Sequence, residues 1–282
     1  MLYPAELRGR PRRRKDSLPA WKSEVGRHLA LPLFMAVVFA LLPPSAAAAA
    51  TAICPSAGSE TAAVAGAVNP ETLHLGDGTR LRLAGIDAPA ASTASLLAGL
   101  APPGTVVRLA PTADKPDRYG DRHAYVFLPD GRLLQDALAQ AGGVRARWLP
   151  GEGACFATLL DSERKARQAG AGLWASPDAI LAAGDPSLVR RSGLYELVAG
   201  RLVSVGHGTP LTFLDFGRDH SRDFTVMLSA PVTRALTATL GSVDSLVGRQ
   251  LLVRGVIQDN RGPAIRLNDA AEIELIDDAP NR

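Results

Sequence analysis

Side chains able to do chemistry gather in one short stretch, Arg80-Leu81-Arg82-Leu83-Ala84-Gly85-Ile86-Asp87-Ala88-Pro89. Strand alternation puts Leu81 and Leu83 on a core face and Arg80 and Arg82 on the other. Asp87 falls at the strand's end, just before a proline turn. Downstream come Asp117-Arg118-Tyr119-Gly120, an Ala124-Tyr125-Val126 strand and Gly172-Leu173-Trp174. Guanidinium groups suit phosphate oxygens, and carboxylates suit hard cations. The five histidines (His28, His74, His123, His207 and His220) are scattered without metal-ligand spacing. No phosphate-loop, Ser/His/Asp or zinc pattern occurs.

As a set, in this order and spacing, these pieces resemble the thermonuclease (staphylococcal nuclease-like) family over residues 61–174. The resemblance implies calcium-dependent phosphodiester cleavage. Two carboxylates and a backbone carbonyl would hold calcium, two arginines would clamp the phosphate, and a glutamate would activate the attacking water. Carried over position by position, Arg82 matches the first arginine and is the implied catalytic residue. Glu71 and Asp87 are the implied metal ligands, and Tyr119 resembles the base-stacking tyrosine that binds substrate.

Three positions depart from the family pattern. In place of D-G-D-T stand Asn69-Pro70-Glu71-Thr72, so the carboxylate survives only as the longer glutamate. The glutamate position after Pro89 is Ala90, and the arginine position after Gly120 is Asp121, a charge reversal where phosphate would be clamped. Arg122 comes one residue late, which on a strand points it to the opposite face unless a bulge re-aims it. Losing a general base costs roughly 10²–10⁴-fold and losing a transition-state donor roughly 10²–10³-fold. The expectation is therefore an impaired site, a pseudo-nuclease serving as a binding or structural module, with calcium weakly bound if at all. The alternative is a weak calcium-dependent phosphodiesterase acting on DNA or RNA. Each residue also has a plainer reading. Asp87 reads as a turn cap, Arg82 as a solvated side chain or a partner of Asp87 or Glu71, Tyr119 as an exposed turn tyrosine and Trp174 as core.

The elements that must position these residues are mostly short strands. Thr61–Val68, Thr72–Leu75 and Thr79–Ile86 read as β, the last two joined by the hairpin signal Gly76-Asp77-Gly78. Ser92–Leu100, Leu133–Ala141 and Cys155–Arg167 have helical spacing, and Thr105–Leu109 and His123–Phe127 read as strands. A second β-rich stretch follows, with strands at Tyr195–Val205, Leu211–Phe216, Phe224–Leu228, Leu251–Ile257 and Ala264–Ile276 and a helix at Val232–Leu240. Its β-β-β-α-β-β order is that of an OB-type barrel. The predicted fold class is mainly β with a few helices, an OB-like thermonuclease barrel followed by a second OB-like barrel. The predicted divisions are a signal peptide over 1–50, an N-terminal segment over 51–60, the first domain over 61–174, a linker over 175–191 and the C-terminal domain over 192–276. In the last, Phe213, Phe216 and Phe224 read as core or rim packing.

Charge argues against a polyanion partner. Residues 1–50 hold eight of the 31 Lys/Arg and three of the 28 Asp/Glu, which leaves 23 basic and 25 acidic side chains beyond them. Residues 187–282 balance at 11 and 11. The implied partners are nucleic acid, weakly, or an unidentified ligand or protein of the cell envelope. The first 50 residues read as an export signal, with a basic region ending at Arg27-His28, an apolar run Leu29–Leu42 and an alanine tract after Pro43-Pro44-Ser45. An uncleaved anchor or a buried helix is the other reading. Export predicts a periplasmic or secreted protein with no stable membrane span after cleavage. In an oxidising compartment the even cysteine count suggests one bridge, Cys54 to Cys155, against two unpaired small apolar residues.

Overall fold

The computed structural model describes Cys54, Pro55, residues 58–219 and residues 222–276. The export signal read in residues 1–50 and the histidines His28 and His220 lie outside the described residues. In chain order the first elements are β1 (Glu60–Asn69), β2 (Thr72–Leu75), β3 (Arg80–Leu83), β4 (Ile86–Asp87), α1 (Ser92–Leu100), β5 (Val106–Pro111), β6 (Arg122–Phe127), α2 (Leu134–Gln140), β7 (Arg145–Ala146) and α3 (Gly153–Ala169). β1 serves two neighbours, pairing first with β5 and then with β2. Register shifts between Val64 and Gly66 and between Ala67 and Asn69 accompany this hand-over, the bend that bulges supply at barrel corners. β3 pairs with β6 in parallel, and β6 returns to β5, so the barrel closes in the order β1-β2-β3-β6-β5.

Its core is the inward row that alternation predicts, including Leu73, Leu81, Leu83, Val107, Leu109 and Val126, extended by Leu134, Leu138, Phe156 and Leu159 from the helices. A fully buried amide fastens α2 to β6. Gln135 Oε1 accepts Val126 N–H at 3.1 Å, and its Nε2 donates to Ala124 O at 2.9 Å. Cys54 and Cys155 are joined, tying the N-terminal segment to the start of α3 across 101 positions. On the chain-entropy view a loop of that length is worth up to ~4–5 kcal/mol.

The later elements are β8 (Leu181–Ala182), β9 (Tyr195–Arg201), β10 (Ser204–His207), β11 (Leu211–Asp215), β12 (Thr225–Ser229), α4 (Ala230–Leu240), β13 (Gln250–Asp259), β14 (Pro263–Leu267) and β15 (Ile273–Leu275). They make an eight-stranded sheet ordered β10-β11-β12-β14-β13-β9-β8, with β15 on β13. Leu202 N–H bonds Arg249 O, and the next residue, Val203, bonds Asp215 O, so the chain passes from the β13 side to the β11 side within two residues. The neighbour order repeats that of the first barrel, including its parallel pair, here β12 with β14, and its helix after the third strand.

The structure differs from the sequence-based expectation in several details: Thr79–Ile86 divides into β3 and β4, and Tyr195–Val205 into β9 and β10. Residues 175–191 carry short 3-10 turns, and β8 pairs in parallel with β9 while Leu188 is fully buried, so this stretch is packed structure. The last predicted strand breaks into β14 and β15 around a 3-10 turn, where Asp269 and Glu272 form a reciprocal capping box.

The described residues lie in one compact unit, and buried ions join α3, packed on the first barrel, to β13 of the second sheet. Glu163 of α3 takes both Nη atoms of Arg254 of β13, at 2.8 and 3.0 Å, and accepts Ala146 N–H at 2.7 Å. Arg254 also pairs with Glu274, which in turn holds Arg164 and Arg167. Tyr195 Oη donates to Ala146 O at 2.9 Å.

Candidate functional site

The hairpin β2–β3 presents the candidate residues. Its turn is held by Leu75 N–H on Thr79 O and Thr79 N–H on Asp77 Oδ1, both 2.9 Å. Pairing sets Thr72, Arg82 and His123 side by side in one row, and His74 with Arg80 in another. The preceding turn delivers Glu71. Asn69 Oδ1 accepts Glu71 N–H at 2.9 Å, and Glu71 O accepts Leu83 N–H at 2.8 Å.

Glu71 and Arg82 meet directly, Oε2 to Nη2 at 2.6 Å. The other carboxylate oxygen, Oε1, accepts Ala88 N–H at 2.7 Å. The implied metal ligand is thus engaged on both oxygens, one of them by the implied phosphate clamp.

Asp87 stands on β4, paired with β7 opposite Arg145. Its Oδ2 is 3.8 Å from Arg145 Nη1, too far for a hydrogen bond. Arg145 Nη1 donates instead to Tyr195 O at 2.9 Å and Glu196 Oε2 at 3.0 Å. Burial pushes the Asp87 carboxyl up to about 6, with Arg145 opposing and Glu71 adding to the rise. An unfolded aspartate titrates near ~3.9. Across the interval the folded chain keeps a proton that the unfolded chain has released, so stability falls as pH rises from about 4 to about 6. Asp87→Asn removes that slope. It should raise stability at pH ~8 by on the order of 1–3 kcal/mol and leave it unchanged near pH ~3.5, read by urea melts at both pH values. Equal effects at both would refute a raised Asp87.

The remaining positions are drawn elsewhere. Asp121 is buried and lies 2.9 Å from Arg80 Nε, so the reversed charge holds an arginine of the same face. Arg122 forms a two-pronged pair with Glu60 of β1 at 2.6 and 2.9 Å, away from Arg82. Tyr119 is 71% exposed on its turn, with Arg118 stacked 4.7 Å over the ring. Ala90 offers no polar atom beyond the backbone; its carbonyl accepts Thr93 N–H at the start of α1. Trp174 packs partly buried against Tyr195, Leu197 and Leu252, at the join with the second sheet.

One constellation was not legible as a pair in the sequence. His123 Nε2 lies 3.0 Å from Asp117 Oδ2, and Asp117 Oδ1 accepts the N–H groups of Tyr119 and Asp121. The His123 bond, foremost, holds the Asp117 carboxyl down at about 2. The turn Asp117–Gly120 folds the loop back so that residues six apart meet, and only that geometry makes the pair.

Calcium requires about six to eight oxygen ligands. Glu71 already accepts one hydrogen bond on each oxygen, one of them from a cation, and Asp87 is desolvated beside an arginine. Among the described residues no group of three or more His, Cys, Asp or Glu is placed to hold a metal ion. As arranged, these side chains do not fit calcium.

Compared with models of known protein families and with curated proteins, the chain matches none.

Proposed function

We propose that this chain is a thermonuclease-like barrel followed by a second OB-like barrel, exported to the periplasm or medium, and that it works there as a non-hydrolytic binding or structural module. The observation that carries the reading is the closed contact among Glu71, Arg82 and the Ala88 N–H. A phosphate approaching Arg82 meets a carboxylate already 2.6 Å from its Nη2, and a calcium ion approaching Glu71 meets the charge of that guanidinium. Export is supported by the sequence of the first 50 residues and by the Cys54–Cys155 bridge. Among the described residues no helix is long and apolar enough to cross a membrane.

A weak calcium-dependent phosphodiesterase is the second reading, favoured by the arrival of Glu71, Arg82 and Asp87 at one end of the hairpin. The two separate in one assay. Purified protein lacking residues 1–50 should cleave denatured DNA and RNA no faster with calcium than with chelator. Calcium-dependent turnover that disappears in Arg82→Ala would establish the second reading instead.

A further inference from the structure

We propose that Arg145 is a positioning residue through which the second barrel holds the Glu71–Arg82 contact closed. This deepens the proposed function, since it rests on that contact being what covers Arg82. The link begins at β4, which lies outside the closed barrel. β4 and β7 form a sheet of their own, with Ile86 opposite Ala146 and Asp87 opposite Arg145. In the same register Arg147 N–H donates to Gly85 O at 2.8 Å. Next after Asp87 comes Ala88, whose N–H donates to Glu71 Oε1, while Glu71 Oε2 accepts Arg82 Nη2. The position of β7 thus sets the position of β4, and β4 sets the N–H that steadies Glu71.

The second sheet fastens β7 in turn. Ala146 O accepts Tyr195 Oη at 2.9 Å and Arg254 Nη1 at 3.1 Å. Arg145 is buried, and its Nη1 donates to Tyr195 O at 2.9 Å and to Glu196 Oε2 at 3.0 Å. Asp87 Oδ2 stands 3.8 Å from the same nitrogen. One guanidinium nitrogen therefore lies between two carboxylates, one from each barrel. Attraction favours the nearer, and only Glu196 is within hydrogen-bond reach. Arg191 anchors Glu196 from its other side, Nη1 to Oε1 at 2.7 Å.

Coupling between sites requires an element with two arrangements that both sites bias. Arg145 supplies it. Bound to Glu196, it leaves Asp87 to the register of β4, and the Ala88 N–H meets Glu71. Closed onto Asp87, it draws β4 out of that register, the Ala88 N–H leaves Glu71, and the carboxylate's grip on Arg82 loosens. The first arrangement is the one observed, and the second barrel selects it through Glu196.

The test compares wild type with Glu196→Gln, which keeps the side chain's shape and removes its charge. Inorganic pyrophosphate is titrated into isotope-labelled protein and followed by NMR at Arg82 Nε. Its affinity should rise at least about fivefold in Glu196→Gln, the low end of ordinary coupling, and Arg82→Ala should abolish the gain. Amide exchange at Ala88 should quicken while Val107 and Leu109 of β5 keep their rates, which separates release of the contact from general loosening. Coupling is reciprocal, so Glu71→Gln in the first barrel should shift the Arg145 side-chain signals, and this arm stands even where Glu196→Gln fails to fold. Unchanged pyrophosphate affinity in folded Glu196→Gln, a gain that survives Arg82→Ala, Ala88 exchange that quickens only together with β5, or silence at Arg145 in Glu71→Gln would overturn the proposal. None of these readouts involves cleavage, so calcium-dependent turnover would refute the non-hydrolytic reading without touching them.

Discussion

Arg254→Met should lower the unfolding free energy by about 3–5 kcal/mol, the cost of removing one partner of a buried ion pair and leaving Glu163 only Arg167, 3.5 Å away, as its cation. Arg254 is fully buried, as is Glu163. Burial opposes the Arg254 charge, and Glu163, followed by Tyr195 and Glu274, outweighs it, so the guanidinium is held above its ordinary range. Against its own burial, Glu274 is held down at about 2 by Arg254 and Arg167. Methionine fills much of the stem's volume, so the loss reports charge more than cavity. Glu163→Gln in the same chain removes that carboxylate's charge but keeps an acceptor for Ala146 N–H. The double variant should therefore recover at least half of the loss. Because the pair bridges α3 and β13, wild type should melt in a single transition. A single-variant cost below about 1 kcal/mol would place the strength of the joint elsewhere, and two separate wild-type transitions would show that the sheets do not depend on it.

That joint also marks where sequence reading stopped. Alternation located the strands because a half-buried sheet has period two, and Thr72–Leu75 and Ser92–Leu100 have the observed ends. The two-residue strands β4 and β7 have no periodicity to detect; only tertiary packing pairs Asp87 with Arg145. Arg254 did leave a signal, a lone cation inside Leu251-Leu252-Val253-Arg254-Gly255-Val256-Ile257, whose burial demands a carboxylate. Which carboxylate was not legible, since Glu163 is 91 positions away.

The glycines of the family-like pieces prove to be scaffold. Gly85 has φ +75°, and a Cβ there would meet Tyr125 Oη at 2.9 Å. A Cβ on Gly172 would stand 2.4 Å from Gly142 O, where the ends of two helices press together. These residues specify how the chain turns and packs, so a resemblance resting on them speaks for the barrel more than for its chemistry. The chemistry rests on Glu71, Arg82, Asp87 and the three departures. Of these the sequence allowed Arg82 to be solvated or paired with either acid, and the fold selects Glu71.

Restoring the three departures together, Glu71→Asp, Ala90→Glu and Asp121→Arg, should create calcium-dependent phosphodiesterase activity on the order of 10²-fold above the unrepaired protein. Shortening Glu71 draws its carboxylate back by one methylene from Arg82 and from Ala88 N–H, which opens both the implied phosphate clamp and the implied metal ligand. Asp121→Arg removes the acid that now holds Arg80 and replaces repulsion of phosphate with attraction. Ala90→Glu supplies the missing base where α1 begins. Single replacements should do little, because groups acting on one transition state rescue poorly one at a time. Pro70 fixes φ where the family pattern has a permissive glycine, so Pro70→Gly added to the three should improve calcium binding further if that turn holds the carboxylate away from the metal. Asp121 is buried, and an arginine there will cost stability. Circular dichroism therefore accompanies each assay, and calorimetry reads calcium binding apart from cleavage. A folded quadruple variant that neither binds calcium nor cleaves would show that Glu71, Arg82 and Asp87 do not occupy the family's catalytic positions, whatever the barrel shares with it.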